Sequence, residues 1–401
     1  MSGFRSGPHF RFVGGLALIV AVALQGCSNL DVFSARSSAE KTTTSKSSSG
    51  KQSSRDSAAD AVDDARTPTS ADSFERAQAL LNEGNAQAAA PLLREAAEAD
   101  NVDAQLKLGD LFAEGNGVLK SYTEAANWYR RAALLGSAEA STRMGRMFLN
   151  GWGVAADGAE AMRWFETAAS NGDADAQAEL GLMYLRGRGV AADEAKGLQY
   201  LRMAAEKGNA EAAYQIGKVY EEGRGVPRDG AEAMRWYRVA GDQGHAKAEY
   251  AIGLLFYMGE AGIAQDQPEA ANWYHRAAKK GLADAQNSLG VMYAEGHGVK
   301  VDLKEAVNWY TAASAQGHAV AQVNLATMYR FGLGVPQNWV TSYKWYTIAE
   351  KQFALTNVSM RVAAELSKEK LAEKMSTNQI QAAREQAAQW LEDNRALVVV
   401  E

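Results

Sequence analysis

The sequence repeats itself with a period of 36 residues over most of its length, and this period constrains the fold more than any other feature. A small residue preceded by a large apolar one recurs at Gly109, Gly145, Gly181, Gly217, Gly253, Gly290 and Ala326. In each unit an alanine stands five positions before this landmark residue and an aromatic residue stands three positions after it. Such a chain folds as stacked copies of one small unit, each packed on its neighbours.

Each unit predicts two helices joined by a glycine-containing turn. The small and large residues around the landmark position fall on one face of the first helix. The turn reads Gly-x-Gly-Val, as at residues 296–299, and glycine supplies the positive φ that follows a helix end. The second helix carries an aromatic residue such as Trp236, which we expect to lie in the core, and it ends near a glycine such as Gly244.

These landmarks resemble the Sel1-like repeat, a relative of the tetratricopeptide repeat, over about Asn101–Lys351. The resemblance implies an all-α fold, a right-handed α-solenoid of helix-turn-helix repeats with helical caps. Seven repeats then occupy residues 101–352. A tetratricopeptide-like capping helix pair precedes them at 74–100, and a C-terminal helical cap follows at 353–401, because a solenoid must cover its open apolar ends.

The N-terminus has the organisation of an export signal. Arg5 and Arg11 precede an apolar run from Phe12 to Leu24. As a helix this run would rise about 20 Å, which is short of the roughly 30 Å hydrocarbon core of a membrane. We therefore interpret residues 1–26 as a signal peptide.

The residues after the apolar run, Leu24-Gln25-Gly26-Cys27, resemble the bacterial lipobox. The resemblance implies that Cys27 is lipidated and becomes the first residue of the mature protein. Ser28 in the next position then implies an outer membrane lipoprotein facing the periplasm. The alternative is an incidental cysteine beside an ordinary cleavage site, which would leave the protein soluble in the periplasm. Residues 27–73 are rich in Ser, Thr and Lys and predict a disordered tether.

Several kinds of chemistry find no support in the sequence. A net charge of −6 argues against nucleic acid as a partner. One cysteine excludes an intramolecular disulfide, and the five histidines never form an i, i+4 pair of metal ligands. The Gly-x-Gly turn follows a helix and not a strand, so it is not a dinucleotide-binding loop. We predict no enzyme, cofactor or metal, and we assign His245 and His318 to the starts of helices.

A candidate partner site follows from the resemblance to tetratricopeptide arrays, whose first helices line a groove. From the third unit onward the groove positions become apolar or aromatic, and such surfaces often mark a partner site. The alternative is that several of these side chains pack between neighbouring repeats. The candidate residues are Leu182, Tyr214, Tyr250, Leu254, Tyr257, Val291, Val323 and Phe331.

Two functions remain open. The first is a non-catalytic protein-protein interaction scaffold, a membrane-anchored lipoprotein that holds one or more protein partners in the cell envelope. The alternative is a carbohydrate- or peptidoglycan-associated binding protein that assists an envelope enzyme or polysaccharide export, because sugars also stack on tyrosine rings.

Overall fold

The computed structural model describes residues 70–259, 262–353 and 357–397. The predicted signal peptide, Cys27 and almost all of the predicted tether lie outside these residues. Within the described ranges the regular structure is entirely helical, as the repeat pattern predicts. None of the described helices combines the length and the apolar character needed to cross a membrane.

Eighteen α-helices follow one another in the described part of the chain, most of them 13 residues long. Two precede the repeats, α1 (Ser70–Asn82) and α2 (Ala86–Glu98). The repeats contain α3 (Val102–Glu114), α4 (Tyr122–Leu134), α5 (Ala138–Asn150), α6 (Gly158–Ser170), α7 (Ala174–Arg186), α8 (Glu194–Glu206), α9 (Ala210–Glu222), α10 (Gly230–Asp242), α11 (Ala246–Met258), α12 (Gln267–Lys279), α13 (Ala283–Glu295), α14 (Leu303–Ala315), α15 (Ala319–Phe331) and α16 (Trp339–Gln352). After them come α17 (Val358–Ala372), α18 (Thr377–Asp393) and a short 3-10 helix, Arg395–Leu397.

The described residues form two compact units, with the boundary inside α4 after Trp128. In the second unit each helix from α5 to α16 packs against the next one along the chain, which is the arrangement of an α-solenoid. Both α17 and α18 pack on α16. The indole of Trp390 meets that of Trp345 edge-on at 5.8 Å, so α18 covers part of the last repeat.

Each helix has defined start and stop signals. Most first helices begin at a polar side chain that accepts a backbone N–H three residues later, as Asn209 does for α9. The exception is α13, which begins at Leu282 without a side-chain cap. Every first helix in the repeats ends at a left-handed glycine such as Gly296, with φ of 78°. The positive φ predicted for this turn is therefore confirmed.

In the second helix of a repeat, the side chain at the centre of the core is that of the residue directly after the aromatic that we predicted to be buried. Trp236 is only half-buried, whereas Tyr237 is fully buried, so the expectation for Trp236 is wrong in this respect. The Tyr237 ring lies against the landmark Gly217, where a Cβ would stand 2.5 Å from ring carbon Cδ1. The equivalent pairs are Gly145 with Phe165, Gly181 with Leu201, Gly253 with Tyr274 and Gly290 with Tyr310. The landmark residue is small because a ring or a leucine side chain of the second helix fills the space beside it.

Candidate protein-binding face

Five of the candidate residues lie together on three successive first helices, and we call them the first-helix face: Tyr214 on α9, Tyr250, Leu254 and Tyr257 on α11, and Val291 on α13. All five are half-buried. The three residues of α11 pack against the apolar core that surrounds Tyr274. The ring centroid of Tyr250 is 5.3 Å from that of Tyr274, and the ring of Tyr257 is 6.4 Å away.

Aromatic side chains of this face bridge neighbouring repeats. The Tyr214 ring stacks on the imidazole of His245 at 4.8 Å. The Tyr250 hydroxyl is 3.3 Å from the Ser288 hydroxyl, and the Tyr257 hydroxyl is 3.2 Å from Nδ1 of His297. The alternative, that several of these side chains pack between neighbouring repeats, is confirmed for these three, and the partner site stays a prediction. Each one packs between repeats and still presents part of its surface to solvent.

The remaining candidates have different surroundings. Leu182 is half-buried on α7, and Phe331 is 42% exposed at the end of α15, with the Arg330 guanidinium over its ring. Val323 is only 1% exposed, so its assignment to an open surface is wrong.

Val323 is buried because its position, three residues before the landmark, faces the inside of the array. Thr142, Ala178 and Asn287 occupy the same position in other repeats and are buried as well. Larger side chains at this position are partly exposed, as Leu106, Tyr214 and Tyr250 are.

Four carboxylates border the first-helix face, and each one lies beside a histidine, tyrosine or glutamine side chain. Glu211 accepts from Gln215 at 2.6 Å and lies 3.0 Å from Nε2 of His245. Asp284 lies 3.3 Å from Nε2 of His318. Glu221 accepts a short hydrogen bond from the Tyr237 hydroxyl, and Glu295 lies 3.4 Å from Nδ1 of His297.

The geometry fixes the tautomer of two of these histidines. Nδ1 of His245 accepts the backbone N–H of Ala248 at the start of α11, and Nδ1 of His318 accepts that of Ala321 at the start of α15. Each ring therefore carries its proton on Nε2 and donates it to the carboxylate of the preceding repeat. The predicted position of both histidines at helix starts is confirmed, and their bonds to carboxylates are an addition that the sequence did not reveal.

The carboxylates divide into two kinds by the direction of their pKa shifts. Burial opposes ionisation of Glu211, but the hydrogen bonds from His245 and Gln215 outweigh it and lower its pKa. The hydrogen bond from His318 likewise lowers the pKa of Asp284. Burial raises the pKa of Glu221 and of Glu295, because water is partly excluded from both.

A different carboxylate, Glu249, is a structural group and not part of this face. It is fully buried within α11, where most repeats carry glutamine. Arg276 of α12 and Lys280, the residue that follows α12, pair with it at 2.7 Å and 2.9 Å. A buried charge with two cationic partners is satisfied, so Glu249 joins α11 to α12.

The described residues contain no group of three or more His, Cys, Asp or Glu side chains placed to hold a metal ion. What the arrangement offers is a surface: partly open aromatic and aliphatic side chains on three parallel helices, bordered by carboxylates. The helical repeats define the class of the protein, a tandem helical repeat protein.

The particular family follows from comparison with known proteins. The model of the Sel1 repeat matches seven times, at residues 102–137, 138–173, 174–209, 210–245, 246–282, 283–318 and 319–352. The chain belongs to the Sel1 repeat family.

The chain is also similar to solved structures. A Sel1 repeat protein from Oxalobacter formigenes is 31% identical, with a TM-score of 0.60 over 75% of this chain and 87% of that chain. The protein c5321, a protective antigen present in uropathogenic Escherichia coli strains, is 27% identical, with a TM-score of 0.44 over 82% of this chain and 77% of that one. Immunity protein Pa5087 from Pseudomonas aeruginosa is 24% identical over 54% of this chain and 83% of that chain, with a TM-score of 0.39. Among curated proteins, none matches the chain.

Proposed function

We propose that this protein is a non-catalytic scaffold, a Sel1 repeat lipoprotein that holds a protein partner in the bacterial envelope. Repeat arrays of this kind use their extended surfaces to bind other proteins. The observation that carries the proposal is the half-open first-helix face, where Tyr214, Tyr250 and Tyr257 combine apolar rings with polar ends. Rigid tyrosine rings on a helical framework are typical anchors of protein interfaces.

The arrangement of the polar groups favours binding over catalysis. The carboxylates of this face are spread over α9 and α13, and each is engaged by a neighbouring side chain of the protein itself. General acid-base catalysis needs two or more such groups converging on one reacting atom. A row of separate polar groups is better suited to contacting successive residues of an extended partner.

Crosslinking in cells that produce the protein tests the scaffold. A photoreactive residue in place of Lys247, which is exposed on α11, is expected to capture a defined envelope protein. The same residue in place of Arg238, exposed on the second helix α10, serves as the matched control and is expected to capture none. Failure of every position on the first-helix face to capture a protein contradicts the scaffold, and capture of glycan instead favours the carbohydrate-binding alternative.

A charge placed on the face is expected to weaken that capture. Leu254→Lys keeps an aliphatic stem against the core while presenting an ammonium group to the partner. We expect partner affinity to fall at least about tenfold, as for an interface anchor. Val239→Lys, at an exposed apolar position on α10, is the control and is expected to leave affinity unchanged. Both variants should keep the parent circular dichroism and melting temperature; unaltered capture by a folded Leu254→Lys protein would place the site on another surface.

The membrane anchor is proposed at Cys27 because the lipobox-like residues end there. Buried acyl chains contribute roughly 0.8 kcal/mol per CH₂, so several long chains hold a protein on a membrane almost permanently. Cys27→Ala is therefore expected to move the protein from the membrane fraction to the soluble periplasmic fraction, or to leave the precursor uncleaved. A processed variant that stays on the membrane would show that Cys27 is incidental.

A further inference from the structure

We propose that the first-helix face binds an extended, basic segment of its partner, in which Lys or Arg side chains stand beside apolar ones. This inference rests on the proposed scaffold function and specifies the chemistry of the partner. It follows from three observations: the charge of the face, the way in which that charge is held, and the spacing of its aromatic side chains.

The first observation is an excess of negative charge. The groove positions of α9, α11 and α13 carry the carboxylates of Glu211, Glu221, Glu222, Asp284 and Glu295 and the ammonium groups of Lys218 and Lys247. Lys218 lies 3.7 Å from Glu222, one turn along α9, and so offsets that carboxylate. Lys247 on the face and Arg228 beside Glu221 are the other cations against four carboxylates, which leaves an excess of negative charge.

The second observation is that histidine, tyrosine and glutamine side chains, and not Lys or Arg, hold these four carboxylates. The Nε2–H tautomer of His245 and His318 orients Glu211 and Asp284 without cancelling their charge, and the Tyr237 hydroxyl does the same for Glu221. The earlier repeats show the contrast. There Arg146 pairs with Glu179 at 2.8 Å and with Asp175 at 3.2 Å, so a guanidinium built into the array neutralises the carboxylates beside it.

Fixed and uncancelled carboxylates favour a cationic partner for a physical reason. Their side chains are already ordered, so little further conformational entropy is lost when a Lys or Arg binds them. Glu221 and Glu295 are also partly removed from water, as their raised pKa values show. A cation that reaches them therefore interacts in a medium less polar than water, where the attraction is stronger.

The third observation is the spacing of the aromatic rings. Tyr214 contacts His245 at the start of α11, and Tyr250 of α11 reaches Ser288 of α13, so α9, α11 and α13 are successive neighbours. At about 10 Å between neighbouring helices that meet through such side chains, the face is about 20 Å wide. An extended chain covers this distance with about six residues at 3.3 Å each. Open tyrosine rings also attract Arg and Lys directly through cation–π contacts.

The test uses the full-length protein and two synthetic peptides of about eight residues, a little longer than the width of the face. In one peptide Lys or Arg alternates with Leu or Tyr, and in the other Gln replaces every Lys and Arg. Calorimetric titration is expected to show the basic peptide binding at least about tenfold more tightly, with the difference shrinking as salt is added. Equal binding of the two peptides, or binding of neither, would overturn the inference.

Matched variants locate the effect on this face. Glu221→Gln combined with Glu295→Gln preserves the shape of both side chains and one acceptor oxygen on each, but removes two charges. We expect this double variant to bind the basic peptide at least about fivefold more weakly. Glu206→Gln removes an exposed charge on the second helix α8 and is expected to change nothing. Unchanged binding by the double variant, with its circular dichroism intact, would also overturn the inference.

The outcome separates this inference from the scaffold itself. If the photoreactive residue at position 247 captures a protein but the basic and neutral peptides bind equally, the scaffold function stands and the inference of a basic partner segment is wrong. If no protein is captured from any position of the face, the scaffold is wrong, and the basic segment falls with it.

Discussion

Replacing Tyr237 with alanine is expected to lower the free energy of unfolding by about 3–5 kcal/mol, as for other fully buried aromatic side chains. The ring has no exposed surface and fills the space beside Gly217, so its removal opens a cavity between α9 and α10. Its hydroxyl also donates to Glu221, which loses that partner. Trp236→Ala should cost less, because the indole is half-buried and lies at the edge of the same core.

Native-state hydrogen exchange measures where this loss occurs. Because each repeat contacts only its neighbours, amide protection should fall most in α9–α11 and least in α15 and α16. Tyr237→Phe is the control, since it keeps the ring and should lose only about 1 kcal/mol. Uniform loss of protection from α5 to α16 would show that the array unfolds as one cooperative unit. A cost for Trp236→Ala equal to that of Tyr237→Ala would contradict the assignment of the core.

The sequence determined the fold well because its landmarks recur in register. Small landmark residues recur in all seven units, and Gly-x-Gly turns and paired aromatics each recur in six, so any one unit repeats most of the information in the others. The period did not reveal which of two adjacent aromatics points inward. Trp236 and Tyr237 recur with the same spacing, and only the direction of the second helix relative to Gly217 distinguishes them.

The candidate site was predictable in part for a similar reason. Helical position alone placed Tyr214, Tyr250 and Tyr257 on the first-helix face, but position alone also selected Val323, whose short side chain ends inside the array. The bonds from His245 to Glu211 and from His318 to Asp284 join residues 34 positions apart. They depend on how one repeat stacks on the next, which a single sequence does not specify.

The stacking of repeats also explains why the second residue of the Gly-x-Gly turn is glycine, and it predicts a large effect of replacing that glycine. Gly298→Ala is expected to destabilise the protein by about 3 kcal/mol or more. The residue has φ of 70°, which costs a non-glycine residue about 1–2 kcal/mol. A Cβ there would also meet the Gln267 carbonyl group and stand 2.5 Å from the Pro268 nitrogen, at the start of α12. These are backbone atoms, which cannot change rotamer to relieve the clash, so the clash adds about 1–3 kcal/mol to the destabilisation.

Gly281→Ala provides a matched control for this prediction. Gly281 has φ of 87°, but a Cβ there meets nothing within 4 Å, so only the strain of about 1–2 kcal/mol applies. The difference between the two variants in urea unfolding therefore measures the close approach of the α13 turn to α12. Gly189 and Gly334 meet the first residues of α6 and α14 in the same way, whereas Gly262, in the longer turn after α11, meets nothing. Equal destabilisation by the two substitutions would mean that α12 moves aside, and the second glycine would then serve only the conformation of its own turn.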